Sequence, residues 1–212
     1  MTSEQTLTLS EAGYVLGRST TGLNKAVDTG EIRARQRKVG RVVERLLGPA
    51  ELRFLRLADE LDKDLTPAGR RRLYEALRKL SADKHRVRLG ELELDLARID
   101  TDLKVRLDRL ESIRQKVEAQ QGRADAVIRG TDIPAHLVAA LAREQTVDEI
   151  LADFPSLNRT QVEAAIEYAK AYPKRGRPYA ARSLKRTLSE LAELGAFNES
   201  ETKEEAAPRK IP

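Results

Sequence analysis

Between Val127 and Pro178 the chain meets helix-starting and helix-stopping residues at such short intervals that no long element can form there. A short extended run, Val127-Ile128, closes on Arg129-Gly130-Thr131. Pro134 then sets a helix start, with Leu137, Val138 and Leu141 apolar. Thr146, with Glu149 three residues on, has the spacing of a capping box, in which side chain and backbone satisfy each other's orphan groups. Pro155 stops that helix and Asn158 can cap a third, with Val162, Ala165, Ile166 and Ala169 inward. Three short helices with tight joints read as a homeodomain-like bundle. Its third helix is the candidate recognition helix, and Arg159, Thr160, Gln161 and Glu163 lie on its exposed first turn.

The rest of the 212 residues must be built with 4% aromatics, so any core consists of Leu, Ala, Val and Ile. Cysteine is absent, which removes disulfides, thiolate metal sites and cysteine nucleophiles together. The two histidines, His85 and His136, are far apart, and no phosphate-cradling glycine loop occurs. No enzyme, metal or cofactor is therefore expected. No apolar run approaches the roughly 20 residues that span a bilayer, and Met1 to Gln5 lack signal-peptide character, so a cytoplasmic, non-membrane protein is expected.

Net charge is +5, but its distribution says more. Eight basic residues face three acidic ones from Arg18 to Arg45, and six basic and no acidic residues lie from Lys174 to Arg186. Such clustering is the electrostatic footprint of a phosphate-backbone partner. Within the first cluster, residues 7–30 read as two short helices. Ser10 is the expected N-cap of the first, Gly17-Arg18-Ser19 the turn, and Leu23, Ala26 and Val27 the inner face of the second. Thr21, Asn24 and Lys25 fall off that face, as a recognition helix requires. From Glu31 to Arg45, Arg33, Arg35 and Arg37 recur with period two, Gly40 offers a turn and Val42-Val43 favours a strand. A basic hairpin after a recognition helix is a wing, and this part resembles the winged helix-turn-helix of MerR-like regulators. An ordinary helical hairpin is the alternative.

Gly48-Pro49 and Thr66-Pro67 each start a further helix, with Thr66 as N-cap and Pro67 where its missing N–H costs nothing. Residues 84–96 pair as a hairpin around Gly90-Glu91: Leu89 faces Leu92, Arg88 faces Glu93, Val87 faces Leu94 and Arg86 faces Asp95. From about Asp100 to Gln121 the spacing of Leu103, Leu107, Leu110, Ile113 and Val117 predicts a helix of about 33 Å. It can pack on the N-terminal part, connect the two halves or self-associate.

VIRGTDIP, the DEILADFPSLNRTQVEAA block and YAKAYPKRGRP resemble the small bacterial domain, long catalogued as of unknown function, that serves as antitoxin in type II toxin–antitoxin operons. The longer architecture resembles VapB-like antitoxins encoded beside PIN-like toxins. Relatives usually carry a basic residue where this chain has Asp132. The resemblance implies neutralisation of a ribonuclease toxin by direct binding, together with repression of the shared operon. On this reading operator DNA is held by Arg18, Thr21, Asn24, Lys25, Arg33, Arg35, Arg37, Lys38 and Arg41. Lys174, Arg175 and Arg177 add an auxiliary contact in an Arg-Gly-Arg-Pro segment that matches the AT-hook core. Toxin contacts are expected at Arg129, Thr131, Arg159 and Tyr179 and on an amphipathic tail helix through Arg182, Leu184, Lys185, Leu188 and Leu191.

The expected fold is mainly α with small β-hairpins: an N-terminal winged helix-turn-helix over 1–83 and a hairpin with a connecting or dimerising helix over 84–122. A three-helix antitoxin domain over 123–178, a tail helix over 179–195 and a disordered end over 196–212 complete it. A homodimer is expected. The alternative function is a stand-alone MerR-like transcriptional regulator with no toxin.

Overall fold

A computed structural model describes residues 6–61, 64–81, 83–119, 125–174, 176 and 179. It is mainly α-helical with small antiparallel sheets. In chain order the elements are β1 (Leu7–Thr8), α1 (Leu9–Leu16), α2 (Thr20–Asp28), β2 (Arg35–Val39), β3 (Val42–Leu47), α3 (Pro49–Glu60) and α4 (Pro67–Lys79). They continue with β4 (Arg86–Leu89), β5 (Leu92–Asp95), α5 (Ala97–Lys116), β6 (Val117–Glu118), β7 (Val127–Ile128), α6 (Ala135–Leu141), α7 (Val147–Asp153) and α8 (Arg159–Ala171). No helix among the described residues is long and apolar enough to cross a membrane.

The start of α1 corrects the expected cap. Thr8, not Ser10, stands outside the helix in extended conformation, and its hydroxyl accepts from the Glu11 amide while the Glu11 carboxylate accepts from the Thr8 amide at 2.8 Å. Thr8-x-x-Glu11 is the true capping box, and Ser10 falls inside the helix, where no such reciprocal pair is open to it. Gly17, at φ 69, ends α1 in the left-handed region, and the Ser19 hydroxyl caps α2. β3 is the central strand of a three-stranded sheet, paired on one side with β1 and on the other with β2 around Gly40-Arg41. The result is a helix-turn-helix followed by a wing.

The β4–β5 register is the one its alternation demands, with all four cross-strand pairs as expected. Gly90 has φ 63 and Glu91 does not have positive φ, the pattern of a type II′ turn. The expected apolar face is only partly covered: Val87 is buried, but Leu92 at the tip is 66% exposed. On the charged face Glu93 meets Arg88 opposite it at 3.9 Å and Arg86 diagonally at 3.3 Å, while Asp95 accepts from the Ala97 amide at the start of α5.

Leu103, Leu107 and Leu110 of α5 are buried in one apolar core with residues from α1, α2, α3 and α4. That stripe is consumed inside the chain and is not free to meet a second copy. The helix also stops earlier than its apolar spacing suggests. Val117 turns extended (φ −128, ψ 134) and pairs with Ile128, and the Arg129 amide donates to the Lys116 carbonyl at 2.9 Å. β-branched Val117 is better placed in a strand, and it belongs to the second core with Ile128, Val138, Leu141, Ile150 and Val162. Around that core α6, α7 and α8 form the expected three-helix bundle, with Thr146–Glu149 and Asn158–Gln161 capping boxes.

Beside the first core lies a buried ion pair. Arg53 on α3 donates to both carboxylate oxygens of Asp100 on α5, at 2.6 and 2.8 Å, with side-chain exposures of 2% and 10%. His85 Nδ1 reaches the same carboxylate at 2.6 Å. The planar guanidinium fork matches the carboxylate bidentately, which a lysine could not do.

Candidate nucleic-acid interface

The wing projects from the first core. Its base is anchored by Leu46 and Leu47, both buried, while residues 35–43 are exposed. Arg35, Arg37, Lys38 and Arg41 therefore stand on an exposed ribbon. Arg45, which the sequence did not single out, ties the wing to α2: its guanidinium donates to Asn24 Oδ1 at 2.9 Å and pairs with Asp28 at 2.8 Å. This holds helix and wing at a fixed angle around a cleft of about 500 Å³, lined by Thr20 and Asn24 on one side and Arg37, Val42 and Val43 on the other.

The expected contacts fall into three groups. Thr21 and Lys25 are exposed on α2, next to the wing residues already named. Arg18, Asn24 and Arg37 carry internal duties. Arg18 is bound by both carboxylate oxygens of Asp59 and by the Leu55 carbonyl; Asn24 also donates to the Thr20 carbonyl; and Arg37 pairs with Glu44 at 2.8 Å. Arg33 lies ahead of β2, where it approaches Glu75 of α4 at 3.5 Å. Lys174 pairs with Asp125, and its ammonium sits over the Tyr179 ring, 4.5 Å from the centroid. Arg175, Arg177, Arg182, Leu184, Lys185, Leu188 and Leu191 lie outside the described residues.

On the three-helix module the same sorting applies. Arg129 is exposed and approaches Glu118 at 3.6 Å, and Arg159 is bound to Asp148. Thr131 shapes a turn, donating to the Ile128 carbonyl and accepting from the Ile133 amide. Tyr179 donates to Asp125 at 2.6 Å.

The sequence missed the seam between the two parts. Glu11 of α1 accepts from Arg114 of α5 and from the hydroxyl of Tyr172, just beyond α8, each at 2.6 Å. Tyr14 donates to Glu167 of α8 at 2.6 Å, and Arg109 pairs with that carboxylate at 3.0 Å. His136 Nε2 donates to the Tyr172 carbonyl at 2.7 Å, which leaves the first helix of the winged unit and the module sharing one residue. Tyr172 and Pro173 also line the cleft between α2 and the wing. Partners 153 and 161 residues apart leave no local signal.

These contacts set protonation behaviour. Burial pushes the Glu11 carboxyl up, but hydrogen bonds from Tyr172, Arg114 and the Thr8 amide outweigh it and hold it below its ordinary 4.5. Glu167 is likewise lowered: burial raises it, and Lys170 and Tyr14 more than compensate. The Tyr14 hydroxyl is pushed up to about 12 by burial and by its bond to Glu167. A folded value below the unfolded one contributes stability that is complete above the unfolded value and lost as pH falls through the folded one. Urea midpoints taken from neutral pH down through the carboxylate range should therefore fall on the acid side, and Glu11→Gln should flatten part of that fall. Parallel curves for the two proteins would show that Glu11 is not a linked group.

Residues 118–169, which run from β6 through most of α8, contain four arginines and nine acidic residues, a net charge of −5 against +5 for the whole chain. The exposed first turn of α8 faces Asp148 and carries Glu163. A phosphate backbone would meet repulsion there and attraction at the wing. No curated protein and no solved structure matches this chain. Residues 118–169 match the domain family described as a protein of unknown function, DUF433.

Proposed function

We propose that this chain is an antitoxin that binds DNA through α2 and the wing and binds a PIN-like ribonuclease toxin through the 118–169 module and the residues after it. The carrying observation is the opposition of charge between the two helical units. The wing exposes Arg35, Lys38 and Arg41 beside a helix whose Thr21 and Lys25 are exposed, whereas the module is net negative. DNA then belongs to the first unit, and the module's helices are left to a protein. The likeness of VIRGTDIP and the following blocks to an antitoxin domain supports a toxin as that protein. Binding to its own promoter by the same chain would give operon repression, and a homodimer on a two-fold operator fits that role.

Co-expression with the adjacent reading frame tests the toxin half. The expected outcome is co-purification and relief of growth arrest. A chain that binds promoter DNA but neither captures that product nor changes its toxicity is instead a stand-alone regulator.

A further inference from the structure

α6 and α8 line a groove of about 410 Å³. Its floor is small and apolar, with Ala139, Ala142, Ile166 and Ala169 each partly exposed, and Arg143 stands exposed at its rim. Arg143 has no acidic partner among the described residues, whereas Lys170 and Lys174 are paired with Glu167 and Asp125. His136, which also lines the groove, adds a second unmet group. Its Nε2 donates to the Tyr172 carbonyl, and its buried Nδ1 has no hydrogen-bond partner among the described residues. A buried acceptor left unmet is costly, so a hydroxyl or N–H is expected beside it. The chain itself departs from this place: Tyr179, whose hydroxyl donates to Asp125, lines the same groove.

We propose that the groove seats residues 180–194 of the same chain, which lie outside the described residues, as one amphipathic helix. Wound at about 3.6 residues per turn, that sequence puts Leu184, Leu188 and Leu191 on one face and turns Arg182, Lys185 and Arg186 away from it. Thr187 falls at the edge of the leucine stripe, and its hydroxyl donates to His136 Nδ1. Glu190, one turn further on the same flank, meets Arg143. The alanines of the floor let a helix bearing leucines come close. The tether selects this occupant: Leu184 is five residues beyond Tyr179, within about 17 Å of chain, and so short a link gives a local concentration in the millimolar range that a second copy or another protein does not reach. A helix of this length is marginal alone and needs such a surface. The inference stands without the proposed function. Its consequence for that function is competition, since a partner that takes Leu184, Leu188 and Leu191 must first lift them from the groove.

The test is amide hydrogen exchange on the full chain, read by NMR at two protein concentrations. Residues 180–194 should exchange on the order of 100-fold more slowly than an unstructured chain, equally at both concentrations. Ala139→Glu with Ala169→Glu puts charge on the floor and should abolish that protection. Leu184→Ser with Leu188→Ser, outside the bundle's own core, should abolish it too and should shift the methyl resonances of Ala139 and Ala169; if the floor variant unfolds, this one decides alone. Thr187→Val keeps the size, loses the hydroxyl and should cut the protection about 5-fold. Exchange of residues 180–194 at the unstructured rate in the parent overturns the proposal, as does protection that survives the floor substitutions in a folded chain. Protection that rises with concentration, as contact between copies would make it, overturns it as well. So do alanine methyls that stay in place in the leucine variant, and parental protection in Thr187→Val. None of these readouts involves DNA or a toxin, so the proposed function stands or falls separately.

Discussion

Replacing Asp100 with alanine should cost about 3–5 kcal/mol of stability and lower the melting temperature by roughly 10 °C. The loss comes from removing the carboxylate that meets Arg53 bidentately, on a side chain that is 2% exposed and cannot turn to water without opening the contact between α3 and α5. A buried pair is not itself strong evidence of net stabilisation, because desolvation offsets most of its attraction. The double variant Arg53→Met, Asp100→Leu should therefore recover most of the loss, and a double-mutant cycle in urea measures the coupling. A cost below about 1 kcal/mol for Asp100→Ala would mean that water reaches the pair. Function should follow stability here: α5 carries Arg114 and Arg109, which hold α8 against α1.

The second large effect concerns the wing. Replacing Arg35, Arg37, Lys38 and Arg41 together with alanine should weaken promoter binding on the order of 100-fold at low salt and reduce the slope of log affinity against log salt by about 3. The slope falls short of four contacts because Arg37 already pairs with Glu44 and yields less on meeting phosphate. Replacing Arg129 and Arg159 on the module should leave both quantities unchanged, since Glu118 and Asp148 already neutralise them. Equal loss from the two sets of substitutions would place DNA across both units.

Local signals made much of the fold legible. Thr66-Pro67, Thr146 with Glu149, and Asn158 each start a helix as read, because a cap is decided within three or four residues. The β4–β5 register was legible because four successive pairs agreed. Val117 falls in the predicted helix because an apolar i, i+4 spacing cannot distinguish the last turn of a helix from a strand whose partner, Ile128, lies far along the chain. The interface was less legible than the fold. Charge clustering located the wing, but which cations are exposed depends on distant acids: Asp59 for Arg18 and Asp125 for Lys174. The Glu11–Tyr172–Arg114 seam had no sequence signal, because it joins three elements across almost the whole described chain.

The division of labour between wing and module is tested most directly by placing a photo-crosslinking side chain at Arg41 and, separately, at Arg159 in the full chain. Promoter duplex and the product of the adjacent reading frame are both present. The expected result is a crosslink to DNA from position 41 and to protein from position 159. A crosslink to DNA from position 159, with none from position 41, would contradict it.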